Sequence, residues 1–190
     1  MIYKNLLAAG IEFITTMETY IKPPRTGLEA FELMPEGTLC QLINDNLIMS
    51  PAPTTPHARV LNKIFNRLYD IAERMQTGEV FCAPLDVYLD QKNVFQPDIL
   101  FILNERKDII KRRGVFGPPD LVIEILSDDR NYDLKKKKTI YEQTGVREYW
   151  VVDPETKWCE GFILQNGKYE SLGEGNGQLT IQMFELQIVF

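Results

Sequence analysis

Residues 119–154, PDLVIEILSDDRNYDLKKKKTIYEQTGVREYWVVDP, decide how the rest of the chain is organised. The run from Asp120 to Leu126 is apolar, rich in β-branched residues and introduced by Pro118-Pro119, which predicts a buried strand. A polar break from Ser127 to Asn131 leads to a helical segment from about Asp133 to Gly145, and a second apolar strand runs from Glu148 to Asp153. Strand, helix and strand of these lengths make a compact α/β unit. Glu124 lies inside the first strand between Ile123 and Ile125, where an ionised, unpaired carboxylate is costly. That strand calls for a cation, a donor or a metal opposite Glu124.

The helix offers one. Leu134, Ile140 and Tyr141 fall on one side at helical periodicity, with Lys137 between them, while Lys135 and Lys136 point elsewhere and Lys138 sits at the edge of that side. Of the four consecutive lysines, Lys137 is aimed at the body of the protein. The competing reading is a solvated basic run in which Lys137 buries its methylenes and keeps its ammonium wet.

With 190 residues and 44% hydrophobic content, the chain predicts one domain with a sizeable core, preceded by a variable arm over residues 1–25. The net charge of −6 leaves no general basic footprint for nucleic acid, although local clusters can still form a patch. Cys40, Cys82 and Cys159 are far apart, odd in number and in no metal-ligand spacing, which points to a reducing cytoplasm and away from zinc. No stretch approaches a membrane span, and the N-terminus lacks the pattern of a signal peptide.

Elsewhere the pattern predicts a helix over Leu6 to Tyr20, a short helix after Thr26, and a β-hairpin of Cys40 to Ile43 and Leu47 to Met49 turning on Asn44-Asp45-Asn46. A rigid Pro-rich connector, Ser50 to Pro56, precedes a long amphipathic helix from Ala58 to Met75. Val80 to Leu89 and Asp98 to Leu103 read as strands, and Lys107 to Gly117 as a basic loop or short helix. Asn166-Gly167 marks a hairpin turn between strands at Trp158 to Leu164 and Tyr169 to Leu172. Gly173 to Gln178 reads as a linker, and Leu179 to Phe184 with Leu186 to Phe190 as the last strands of the sheet.

Asp98 and Glu124 thus lie on strands that one sheet can bring side by side, with Lys137 directed at the same sheet. Neighbouring carboxylates repel unless a divalent cation fills the gap, and hard oxygen ligands suit Mg²⁺ or Mn²⁺. Such an ion polarises a phosphate and acidifies bound water, while Lys137 orients that water or offsets charge in the transition state. The chemistry that follows is metal-assisted phosphodiester hydrolysis. Asp120 is about 13 Å from Glu124 along the same strand, too far to share a metal, and reads as a strand-start acid.

The combination of Pro97-Asp98, then PDLVIEILS, then Asp133, Lys137 and Tyr141 at helical spacing, then GVREYWVVDP, resembles the Uma-type family of restriction-like endonucleases within the PD-(D/E)XK superfamily. The similarity runs from about Gly27 to Tyr169. It implies a restriction-endonuclease-like α/β fold, a central mixed β-sheet flanked by helices with an N-terminal helix and β-hairpin, and a Mg²⁺-dependent nuclease acting on DNA. Carried over, Asp98 resembles the acid of the PD motif, Glu124 the acid of the (D/E)XK motif, and Lys137 a lysine moved from the strand to the next helix. Leu126 occupies the strand position where the superfamily pattern has lysine, on the same side as Glu124 by period two.

Gln41 stands where the family hairpin usually carries glutamate, which makes it a weaker, neutral candidate ligand. His57, the only histidine, is a candidate phosphate contact or proton shuttle, though its place before the helix body fits capping or packing better. Tyr141, Tyr149 and Trp150 read as core. The rival expectations are a catalytically inactive module of the same fold that binds nucleic acid or a protein partner, and an unrelated metal-dependent hydrolase of a small phosphoester. A homodimer is expected, because cutting both strands needs two active centres.

Overall fold

The structure, a computed structural model, describes residues 23–127 and 132–190; the helix expected over Leu6 to Tyr20, and the side chains of Asp133 and Leu134, lie outside the described residues. In chain order the elements are α1 (Gly27–Glu32), β1 (Cys40–Ile43), β2 (Asn46–Met49), α2 (Thr55–Met75), β3 (Gly78–Cys82), β4 (Val87–Tyr88), β5 (Val94–Phe95), β6 (Ile99–Leu103), β7 (Ile110–Lys111), β8 (Gly114–Phe116), β9 (Leu121–Ile125), α3 (Lys138–Thr144), β10 (Glu148–Val152), β11 (Trp158–Gln165), β12 (Lys168–Asn176), β13 (Gln178–Ile181) and β14 (Leu186–Val189). A π-helical turn, Tyr132–Lys137, runs into α3.

A mixed six-stranded sheet, β12-β11-β10-β9-β6-β3, carries the fold, with β9 and β10 parallel at its centre and every other pair antiparallel. The expected β9–α3–β10 unit supplies that parallel pair, since a crossover is what joins neighbouring parallel strands. Both central strands are buried on both sides, which explains their nearly unbroken apolar sequences. Gly145 at φ 95° ends α3 and turns the chain back into β10, a backbone conformation that glycine adopts without strain.

Alternation along the strands divides the core. Ile99, Phe101, Leu121, Ile123, Ile125, Trp150 and Val152 pack against Val60, Ile64, Leu68 and Ile71 of α2 and against the β13–β14 hairpin. Leu100, Ile102, Val122, Tyr149 and Val151 pack on the other side against Ile140 and Tyr141 of α3 and against Val87, Phe95 and Val115. These last three belong to a second six-stranded sheet, β2-β1-β5-β4-β8-β7. The β1–β2 hairpin turns as expected on Asn44 and Asp45, both at positive φ.

Three expectations are corrected. Val80 to Leu89 is not one strand: the chain breaks at Ala83-Pro84, where proline has no N–H for a ladder, so β3 pairs with β6 and β4 joins the second sheet. Gly173 to Gln178 is not a linker, because β12 continues to Asn176, with a register shift opposite Gly161/Phe162 of β11. Gly175 is there for close approach: a Cβ would meet Gln178 O at 2.8 Å and Cys159 Sγ at 3.1 Å. Finally, β13 and β14 do not finish the main sheet but form a separate hairpin that covers its α2 side. No helix among the described residues is long and apolar enough to cross a membrane.

Candidate active site

β6 enters the sheet immediately after Asp98, and its register with β9, Ile99 opposite Ile123, sets Asp98 opposite Glu124 when extended by one step. Directly opposed residues on neighbouring antiparallel strands hold their Cβ atoms about 4.5–5.5 Å apart, and this register brings Asp98 and Glu124 to the same end of the sheet. The Asp98 side chain replaces a ladder contact, its Oδ2 accepting from the Ile125 amide at 2.7 Å. The same oxygen lies 3.2 Å from His57 Nε2, while Oδ1 accepts no hydrogen bond among the described residues.

Glu124 is buried at 2% exposure, and the compensation its sequence context demands comes from α3 and the turn before it. Lys137 Nζ lies 3.0 Å from Oε2, and the Tyr141 hydroxyl donates to Oε1 at 2.6 Å. Lys137 ends the π-helical turn and is buried at 6% exposure, whereas Lys135 and Lys136 are exposed. Lys138 sits over the Phe162 ring at 3.4 Å. π-Helical turns widen the helix locally and recur at functional sites. Leu126 packs with Val122, Ile140 and Tyr141, so an apolar side chain does occupy the strand position beside Glu124, and the cation comes from the helix.

Electrostatics follow from this packing. Burial and the Glu124 charge raise the Tyr141 hydroxyl well above its ordinary range, so it remains a proton donor to that carboxylate. Burial pushes the His57 imidazole down, but the hydrogen bond and charge of Asp98 and the charge of Glu124 outweigh it, and the net shift is upward. The cap of α2 is not His57. Thr54 caps the helix, accepting from the His57 amide at 3.4 Å, which leaves the imidazole free to reach Asp98. Its Nδ1 is buried without a hydrogen-bond partner among the described residues.

Gln41 is buried on β1 and makes its side-chain hydrogen bonds to Ser50 and Gln96. It donates to Ser50 Oγ at 2.9 Å and accepts from the Gln96 amide at 3.4 Å, fastening the β1–β2 hairpin to the segment that leads into Asp98. Asp120 is at the far end of β9, fully buried, held by Arg106 at 2.9 Å and Arg147 at 3.4 Å and accepting from the Leu103 amide at 3.0 Å. That arrangement is a structural tie between β6, β9 and β10. Sequence reasoning missed the Tyr141 hydroxyl; the available signal was its place one turn beyond Lys137 on the side already assigned to Glu124.

No group of three or more His, Cys, Asp or Glu side chains converges as a metal cluster among the described residues. The donor set at this site is instead two carboxylates, one with an uncommitted oxygen. That set fits a hard cation of the Mg²⁺ type, which commonly takes one or two protein carboxylates and keeps several waters.

A mixed sheet between helices, with opposed acids and a helix-borne lysine at one end, defines a protein of the restriction-endonuclease-like nuclease fold. The sequence model of the Uma2 family, described as "Putative restriction endonuclease", matches residues 28–188, and the chain belongs to that family. Its fold is similar to a crystal structure described as "a putative nuclease belonging to DUF820" from Anabaena variabilis ATCC 29413, with a TM-score of 0.71 and 20% identity over 87% of this chain and 95% of that one. No curated protein matches the sequence.

Proposed function

We propose that the protein is a metal-dependent endonuclease that hydrolyses DNA phosphodiester bonds, with Asp98, Glu124 and Lys137 at its catalytic centre. The observation that carries the reading is the Lys137 ammonium 3.0 Å from Glu124 on β9, with Asp98 anchored 2.7 Å from the very next amide of that strand, Ile125. Asp98 and Glu124 would hold Mg²⁺ or Mn²⁺. When bound, such an ion supplies Lewis-acid polarisation of the scissile phosphate and acidifies the attacking water.

Lys137 keeps Glu124 ionised inside an apolar strand and brings a fixed positive charge to the side where charge grows in the transition state. Tyr141 fixes the second Glu124 oxygen, so the carboxylate cannot rotate away. His57, drawn toward its charged form by Asp98, is suited to contact a phosphate oxygen or to pass a proton at Nε2. Two copies related by symmetry would present two such centres to the two DNA strands. The free cysteines agree with action in the reducing cytoplasm.

Gln41 favours a second reading, a catalytically inactive module of the same fold, because a neutral amide stands at the hairpin position that resembles a glutamate. Plasmid DNA distinguishes them. Purified protein with Mg²⁺ or Mn²⁺ nicks or linearises the plasmid, and Asp98→Asn and Glu124→Gln abolish the nicking while remaining folded. Retention of DNA without cleavage, across supercoiled, linear and single-stranded substrates and both ions, would establish the inactive module.

A further inference from the structure

We infer that the outward face of α2 is a rail for DNA backbone phosphates, an assignment that rests on the DNA-cleavage reading and adds to it the surface that carries the duplex. Arg59, Lys63 and Arg67 are exposed and spaced four residues apart, so they form one line that drifts by about 40° per step. The line covers about 12 Å of helix axis. Every exposed residue between Arg59 and Arg67 is Asn or Lys, namely Asn62, Lys63 and Asn66, and from Thr55 to Tyr69 the helix contains no Asp or Glu. This occurs in a chain whose net charge is −6. Among the described residues none of the three cations has an ion-pair partner.

Helix stability does not account for the stripe. Like charges at i and i+4 oppose one another, and the first turn carries no acid to complement the positive end of the helix dipole. Folding does not account for it either, since the buried side of the helix is made by Val60, Ile64, Leu68 and Ile71. Its position relates it to the site through one end of the helix: Arg59 begins the line at the N-terminal end of α2, where His57 Nε2 is on Asp98, but lies about 200° round the helix from His57, so the line shares an end with the carboxylate site and runs along the opposite, outward face.

One DNA strand carries a charge every 3.4 Å of axis, so about 12 Å spans roughly three to four phosphates. Asn62 and Asn66 add neutral donors of the kind that contact phosphate and sugar. An anionic lipid surface presents similar charge, but membrane-surface helices set large apolar residues against their basic face, and none of the exposed residues from Arg59 to Arg67 is apolar.

The test is the salt dependence of binding to a fluorescein-labelled DNA duplex, measured by anisotropy in EDTA so that nothing is cleaved. The triple variant Arg59→Gln, Lys63→Gln, Arg67→Gln flattens the slope of log K against log salt by about 2.7 and weakens binding at about 50 mM salt at least ten-fold. Lys63→Gln alone flattens it by about 0.9, and Arg74→Gln, near the other end of α2, leaves it unchanged. Wild-type slope and affinity in the folded triple variant would overturn the rail while leaving the DNA reading intact. Absence of binding by the wild type would overturn both. Unchanged duplex binding with lost binding to phosphatidylserine vesicles would overturn the rail in favour of a membrane surface.

Discussion

The Tyr141 hydroxyl donates to Glu124 Oε1 at 2.6 Å from a ring that is itself fully buried, between the rings of Phe95 and Tyr149. A core aromatic thereby fixes an ionisable group, and Glu124 can be both charged and immobile. Tyr141→Phe keeps the ring packing and leaves one buried carboxylate oxygen without its donor. The expected loss of unfolding free energy is about 1–3 kcal/mol by urea denaturation. Unchanged stability would mean that the hydroxyl contributes nothing to holding Glu124.

Lys137 and Glu124 are coupled. Lys137→Met strands an ionised carboxylate in the core, which costs roughly 3–5 kcal/mol. Adding Glu124→Gln to that background restores most of the loss, because the charge that lacked a partner is gone. A double-mutant cycle measured by chemical denaturation checks this, and simple additivity of the two single effects contradicts a direct pair.

Substitutions at Asp98 and Asp120 are expected to separate function from stability. Asp120→Asn disrupts the tie to Arg106 and Arg147 and lowers stability by about 3–5 kcal/mol, yet the fraction that remains folded keeps its nicking activity. Asp98→Asn does the reverse, removing activity with the smaller stability loss. Equal loss of specific activity in both variants would contradict the assignment of roles.

Stability also depends on pH through Glu148. Burial pushes its carboxyl up, against hydrogen bonds from Trp150 Nε1, Gln182 N and Met183 N that pull it down. A folded-state pKa above the unfolded value means that the folded chain binds the proton more tightly. Stability is therefore lost as pH rises from about 4.5 through the folded pKa. Glu148→Gln cannot titrate, so the wild type's advantage over it is larger at about pH 4 than at about pH 7, read from urea midpoints. An advantage that grows with pH would reverse the sign and refute the claim.

Much of this fold is legible in the chain because its central strands obey simple rules. Leu121 to Ile125 and Glu148 to Val152 are too apolar to lie anywhere but the middle of a sheet, and an intervening helix makes them parallel. Lys137 is identifiable because helical periodicity alone separates it from its three neighbouring lysines. What periodicity does not carry is which sheet a strand joins. Val87–Tyr88 and Val94–Phe95 are two residues each, too short for any pattern, and only tertiary packing assigns them to the second sheet. The glycines of β12 mislead for a related reason, since composition does not reveal that Gly175 leaves room for Gln178 and Cys159. Of the roles open to His57, capping falls to Thr54 three residues earlier, and a hydrogen bond to Asp98, 41 positions away, leaves no local trace.

The central claim is that Asp98 and Glu124 hold one divalent cation between them, and Mn²⁺ titration followed by isothermal calorimetry tests it most directly. The account predicts saturable one-to-one binding to the wild type that disappears in Asp98→Asn and again in Glu124→Gln, each still folded by circular dichroism. Wild-type affinity in either variant, or no binding by the wild type, would contradict it.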